Sequence, residues 1–266
     1  MSSFETDHQT LKVRQEEDLL WVRLDQGDRA NALSPRMLSE LTGLYAQDLR
    51  AAGIRAVLLS GSGRHFSAGA DLEHLASLQS ASLEENRADA EKLRGLFEAV
   101  LRQEALTIAM VQGSCVAGGC GLATAHDFVI AAEDARFLYS EVRIGFVGAL
   151  VATFLPLRMR GSDIREMLLN PEFVSAAAAL ETGLVNRVVV ASELEVAGRE
   201  LAVGMLENAS SESIARTKRL LLEIVGLPLD QALAVAVEAN AAARSTDDCR
   251  RGIATFLETK SPPRWR

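Results

Sequence analysis

Cysteine is sparse in this chain: Cys115, Cys120 and Cys249 are the three present, and no two stand at C-x-x-C spacing. An odd, scattered set argues against a disulfide framework and fits a reducing compartment. Histidine is equally unpatterned. His8, His65, His74 and His126 form no H-E-x-x-H or related spacing, so no metal is expected. Basic charge is in deficit, with Lys+Arg 28 against Asp+Glu 36 and a net charge of −8. That balance argues against a broad phosphate-binding surface and hence against nucleic acid as the main partner, while leaving room for a local basic cluster. Long apolar runs are missing too; none reaches the roughly 18–20 residues that cross a bilayer. The polar, acidic start Met1–Thr10 lacks the basic and apolar regions of a signal peptide and the Arg-rich character of a transit peptide. A soluble, cytoplasmic protein without membrane contact is expected.

What is present is an ordinary globular composition, hydrophobic 48% and charged 24%, over 266 residues. Leu11–Val13 and Leu19–Leu24 read as strands about a charged break, Glu16-Glu17-Asp18, suited to a hairpin. Ser34-Pro35 opens a helix whose Met37, Leu38, Leu41 and Leu44 share one face. Short apolar runs at Ala56–Ser60, Thr107–Val111 and Phe128–Ala131 read as buried parallel strands, with a charged helix over about Glu84–Arg102 between the first two. This order implies α/β architecture with crossovers. After about residue 200 three helical stretches follow: Ser211–Val225, Leu229–Arg244 and Asp247–Glu258. The middle one carries Ala232, Ala234, Val235, Ala236, Val237 and Ala239, small enough for close helix approach either within the domain or between subunits.

Two glycine-rich turns stand out. In Gly61-Ser62-Gly63-Arg64-His65-Phe66 a phenylalanine occupies the place of the third glycine, which dismisses a dinucleotide fingerprint. Just beyond it, Ala68-Gly69-Ala70 lets a ligand approach the main chain, and Asp71 can cap a following helix. The second turn, Gln112 to Ala123 through Gly113, Gly118, Gly119 and Gly121, runs from a buried strand into a helix. Unpaired N–H groups at such a helix start favour developing negative charge. Either turn alone is more often simple packing; two on one sheet are a better candidate for an oxyanion hole.

Asn31-Ala32-Leu33, Phe66 to Leu72, Gly113…Gly118-Gly119-Cys120…Leu122-Ala123…Asp127, Glu141…Gly145 and Ala179…Gly183-Leu184-Val185 together resemble the crotonase superfamily of enoyl-CoA hydratases and isomerases in order and spacing. The resemblance implies a spiral of ββα units over residues 1–200 and a helical trimerisation region over 201–266, with trimers able to pair into hexamers. It implies an oxyanion hole on the backbone N–H groups of Ala70 and Gly118. CoA, as part of the substrate rather than a separate cofactor, would pass Arg29, Ala30 and Asn31, with Ser67, Ala68 and Asp71 beside it. Phe256 and Lys260 would complete a neighbouring subunit's CoA site. Such chemistry places charge on a thioester oxygen, and losing one fixed donor typically costs about 2.7–4 kcal/mol.

The sequence also departs from that pattern. Hydratases of the superfamily usually carry two catalytic glutamates; Gly121 occupies the first position and Glu141 matches the second. Hydration normally divides its proton transfers between two groups, whereas a shift of the double bond from the 3- to the 2-position needs only one. The flanking sequence nonetheless resembles proteins called enoyl-CoA hydratases, so hydration is the first expectation and isomerisation the second. An ion pair with Arg143 is the bland alternative for Glu141. His74 and Glu73 could border an acyl pocket, although a surface role suits His74 better. Tyr139 would suit a decarboxylase, but in Phe137-Leu138-Tyr139 it reads as packing; His65 and His126 read as structural. A silent acyl-CoA binder is the non-enzymatic alternative.

Overall fold

The computed structural model describes Phe4 and residues 8–266. Strands β1 (Leu11–Glu16) and β2 (Leu19–Leu24) form the expected hairpin, antiparallel from Leu11↔Leu24 to Glu16↔Leu19. β1 thus runs beyond Val13. The Arg14 guanidinium lies 4.5 Å over the ring of its cross-strand partner Trp21, which lets a polar strand end stay paired. Helix α1 (Pro35–Tyr45) starts where Ser34 Oγ accepts from Met37 N–H. Strand β3 (Ala56–Gly61) follows, then the short α2 (Leu72–Ser77) and the long α3 (Leu83–Arg102), which opens on a Ser82–Glu85 capping box. Next come β4 (Leu106–Val111), β5 (Ser114–Val116), α4 (Gly118–Thr124), β6 (Phe128–Ala132) and β7 (Arg136–Leu138). α5 (Val151–Phe154), α6 (Gly161–Leu169), β8 (Val174–Ser175), α7 (Ala176–Glu181), β9 (Arg187–Val189) and α8 (Leu194–Asn208) complete the core.

One sheet has the order β1-β2-β3-β4-β6-β9, parallel from β2 onward; a smaller one has the order β5-β7-β8. Period-two alternation sends the side chains of β2, β3, β4 and β6 to two separate cores. Leu20, Val22, Val57, Leu59, Ala109 and Val111 join the core shared with α1, α3 and α4. Leu19, Trp21, Ala56, Leu58, Ile108 and Met110 face Leu194, Leu201, Ala202 and Leu206 of α8. Gly198 permits that close approach, since a Cβ there would collide with Met110 Sδ. The boundary expected between residues 200 and 201 therefore falls inside α8, whose buried residues belong to the core. The change of architecture comes at Ala209-Ser210, where Ser210 caps α9 (Ser211–Glu223).

α10 (Leu229–Arg244) and α11 (Asp247–Thr259) follow, with no buried residue in either. α9 is tied to the core through Lys218 Nζ, 2.6 Å from Asp127 Oδ2 and donating to Ala105 O. Among the described residues no helix is long and apolar enough to cross a membrane.

Candidate active site

The loop after β3 is drawn in between the Ala30-to-Leu33 segment and β5, with an isolated parallel bridge to each. Ala68 N–H donates to Ala30 O at 2.8 Å, Leu33 N–H to Gly69 O at 2.7 Å, and Val116 N–H to Ser67 O at 2.9 Å. Gly69 is held at φ 82, and a Cβ there would lie 2.5 Å from Val116 O and 3.1 Å from Gly118 N. Only glycine tolerates both the angle and the contact. Gly119 is similarly constrained, because a Cβ would come within 2.8 Å of Ser67 Cβ and Ser67 O. These contacts press the two glycine turns together, leaving Ala70 N 3.8 Å from where a Cβ of Gly118 would sit.

Ala117, just before α4, adopts φ 48 and ψ −121, an unusual conformation for a residue with a side chain. Its own N–H donates to Leu138 O at 2.7 Å, which anchors the start of α4 to the end of β7. Backbone strain of this kind is concentrated where function requires a fixed geometry. Among the described residues, the N–H groups of Ala70 and Gly118 donate to no acceptor. The result is two unpaired backbone donors on adjoining turns, a type of group that can receive an anionic oxygen.

Three residues past Leu138 stands Glu141, at the start of a 3-10 turn Glu141–Ile144 that closes on Gly145 at φ 73. Its Oε2 is buried and has no hydrogen-bond partner. Burial raises the Glu141 pKa above the usual carboxylate value, with its own backbone N–H opposing the shift. Arg143 does not pair with it; that guanidinium donates to Pro171 O. A half-buried carboxyl with a free oxygen and a raised pKa is equipped to exchange a proton with a ligand.

The enoyl-CoA hydratase/isomerase family model matches residues 14–266. A Thermus thermophilus protein provisionally named an enoyl-CoA hydratase is 42% identical over 246 residues, covering 92% of this chain and 96% of its own. A crotonyl-CoA hydratase of Syntrophomonas wolfei is 29% identical over 260 residues, with 95% and 96% covered. The chain belongs to the enoyl-CoA hydratase/isomerase family. Among solved structures, an enoyl-CoA hydratase from Shewanella pealeana superposes with TM-score 0.90 at 28% identity, covering 98% of each chain. One from Mycobacterium smegmatis gives 0.87 at 29%, covering 96% of this chain and 98% of its own. The crotonase fold of these neighbours is the α/β fold described above, C-terminal helices included.

Within this enoyl-CoA hydratase/isomerase chain, several expected ligand contacts serve the loops themselves. Asn31 is 0% exposed: its Nδ2 donates to Ser62 O, His65 O and Phe66 O, and its Oδ1 accepts from Gln26 N–H. Ser67, also buried, donates to Asn31 O and accepts from Gly69 N–H. Both side chains are braces, with no polar atom left to face a ligand. Asp71 caps α2 by accepting from Glu73 and His74 N–H, and receives Arg29 at 3.4 Å. Arg29 also meets Glu73 at 2.7 Å, so its loop, with Ala30 at φ 49, is clipped to α2. Ala68 is exposed between two buried neighbours, Ser67 and Gly69.

His74 contacts Asp89 Oδ1 of α3 at 2.9 Å and holds α2 onto α3. Tyr139 is buried, with its hydroxyl toward Thr124 but outside hydrogen-bond geometry; burial drives its pKa well up, so it stays neutral. His126 is buried between Leu122 O and Tyr45 Oη, and burial lowers its pKa to about 3. His65 accepts from Ser114 N–H, and burial with nearby Arg64 and Arg136 lowers its pKa. Phe256 and Lys260 stand exposed at the end of α11, and no hydrogen bond or ion pair among the described residues joins them to Ala70, Gly118 or Glu141.

At Gly121 no space stands open for a missing carboxylate. A Cβ there would be 2.7 Å from Phe97 Cζ and 2.7 Å from Val151 Cγ1. Phe97 and Val151 escaped the sequence reading: one lies on a regular helical face and the other in an unbroken apolar stretch. Neither carries a polar signal.

Proposed function

We propose that this chain hydrates a 2-enoyl-CoA thioester, with the Ala70 and Gly118 N–H groups holding the thioester oxygen and Glu141 as the sole acid–base group. The buried, unpartnered Oε2 of Glu141 carries this reading. Water gives a proton to the Glu141 carboxylate as its oxygen bonds to C3, and the C2=C3 electrons move into the thioester as an enolate. The two amides hold that oxyanion, and Glu141 then returns the proton to C2. One carboxylate is sufficient because the proton removed is the proton restored. CoA is carried in with the substrate along the Arg29–Asn31 loop and past the exposed Ala68, and the reaction calls for no further cofactor. A cytoplasmic location fits three dispersed cysteines.

The packing at Gly121 favours a second reading. With Phe97 and Val151 where relatives place another carboxylate, one Glu141 could move a proton from C2 to C4, converting a 3-enoyl to a 2-enoyl thioester. Crotonyl-CoA and 3-hexenoyl-CoA separate the two. Hydration removes the conjugated absorbance of the first, and isomerisation creates it from the second. Glu141→Gln should lower turnover of the active substrate about 10²–10⁴-fold while thioester affinity stays near its starting value. Near-complete activity in that variant would reject both readings.

We propose further that the protein self-associates through α10 and α11 as a trimer or a pair of trimers. The motivation is an exposed apolar row, Leu229, Leu233, Val237, Ile253, Phe256 and Leu257, on helices that bury nothing in the single chain.

A further inference from the structure

We infer that Phe97 and Val151 form the end wall of the acyl chamber and restrict this enzyme to short acyl groups. The inference rests on the reading of Ala70, Gly118 and Glu141 given above. Gly121 lies three residues beyond Gly118 on α4 and so shares its face. On that reading the reacting carbons of a thioester held at Gly118 lie along α4 toward Gly121. There they meet Val151, which reaches both sides of the chamber. Its Cγ1 would lie 2.7 Å from a Cβ on Gly121, and its Cγ2 3.2 Å from a Cβ on Gly148. The carboxyl carbon of Glu141 would lie 3.7 Å from that same Gly148 Cβ, so one buried valine spans from the oxyanion helix to the acid–base group.

Phe97 backs Val151. Its ring is buried and meets Phe154 edge-on at 5.4 Å between centroids, which fixes it in place. Behind it lies a cleft of about 330 Å³, floored by Phe97, Leu101, Leu150 and Phe154 and reached by Leu222 of α9. That volume is at the lower end of the range of small-molecule pockets. The arginines at its rim are already engaged, Arg94 with Glu91 at 2.7 Å and Arg102 with Glu98 at 2.8 Å. The cleft therefore suits an aliphatic chain rather than an anion. Phe97 touches both the Gly121 side and the cleft, so the wall is one layer of side chains thick. On this inference a chain of a few carbons ends at the wall, and a longer one has to displace it.

The test compares kcat/KM for crotonyl-, hexenoyl-, octenoyl- and decenoyl-CoA, and dissociation constants for the matching saturated thioesters, in the wild type, Val151→Ala and Phe97→Leu. The wild type should lose about tenfold or more from crotonyl to decenoyl, the scale on which a pocket discriminates methylene groups. Val151→Ala should raise the decenoyl-to-crotonyl ratio by about tenfold, chiefly through KM, and Phe97→Leu should move it the same way. Val151→Ile, which thickens the wall, should sharpen the short-chain preference and serves where the smaller variants fail to fold. A flat wild-type profile overturns the inference, as does a ratio that stays fixed in folded variants. If the wild type turns over neither this series nor 3-hexenoyl-CoA, the hydratase and isomerase readings fail. The affinity series then judges the wall alone: equal affinity for butyryl- and decanoyl-CoA rejects it.

Discussion

At the scale of single residues, Glu141 carries two opposed demands. Under the proposed mechanism, burial that raises its pKa makes the carboxylate a stronger base and leaves more of it protonated, yet disfavours the ionised form with which hydration would start. The kcat/KM profile should therefore rise with pH through an apparent pKa above the ordinary glutamate value of about 4.3, and Glu141→Asp should shift that limb. The stability linkage has the opposite direction. A carboxyl whose folded pKa is raised favours the folded state when protonated, so stability is fullest below the unfolded value and declines as pH rises through the folded one. Glu141→Gln should match or exceed the wild type in thermal stability near neutral pH and lose that advantage under acid conditions. A fall in stability at both pH values would show the carboxylate to be a structural anchor. Gly121 gives a sharper expectation. Phe97 and Val151 already occupy its side-chain space, so Gly121→Glu should destabilise by about 1–3 kcal/mol or more through overpacking. It should lower the denaturation midpoint and bring no gain in hydration.

At the scale of elements, what could be read from the sequence was decided by length and burial. β2, β3, β4 and β6 are short apolar runs flanked by turn residues and stand almost as expected; α10 matches Leu229–Arg244 to the residue. The stretch from Phe146 to Glu193 carries no comparable signal, because its helices and strands are short and held by tertiary contacts. Arg158, for example, bonds Thr124 O and Asp127 O from a loop beyond α5. The glycine turns were legible as a place for close backbone approach. The strained φ at Ala117 was not, since alanine gives no warning of it. Nor could Asn31 and Ser67 be recognised as braces, because a motif marks a position and not which way a side chain faces. Lys218 is another such case: an ordinary lysine in sequence, it is largely buried against Asp127, and burial lowers its pKa against that partner's pull. Lys218→Met should leave Asp127 without its cation and cost about 3–5 kcal/mol, the scale for breaking a buried pair. A denaturant curve unchanged within error would mean that α9 docks by its apolar contacts alone.

At the scale of the whole molecule, α10 and α11 bury no residue of their own in the single chain. Leu229 is 75% and Val237 63% exposed, and the self-association proposed above would take the row they belong to out of water. Leu233→Glu combined with Val237→Glu should keep the helical circular dichroism but convert the assembly to monomers in sedimentation at micromolar concentration. A monomeric wild type under those conditions would reject self-association itself. The position of Phe256 and Lys260 permits a more searching test. Both are exposed at the end of α11, and among the described residues neither is joined by a hydrogen bond or ion pair to Glu141; the proposed assembly would bring them to a neighbour's CoA site. Lys260→Ala should then raise KM for the thioester with little change in kcat, while Glu141→Gln abolishes turnover in its own site. When the two variants are unfolded and reassembled together, some sites combine Glu141 of one chain with Lys260 of the next. Those mixed sites should restore a wild-type KM, which neither parent shows alone. If Lys260 serves its own chain, or none, the mixture can give only the KM of the Lys260→Ala parent at reduced turnover.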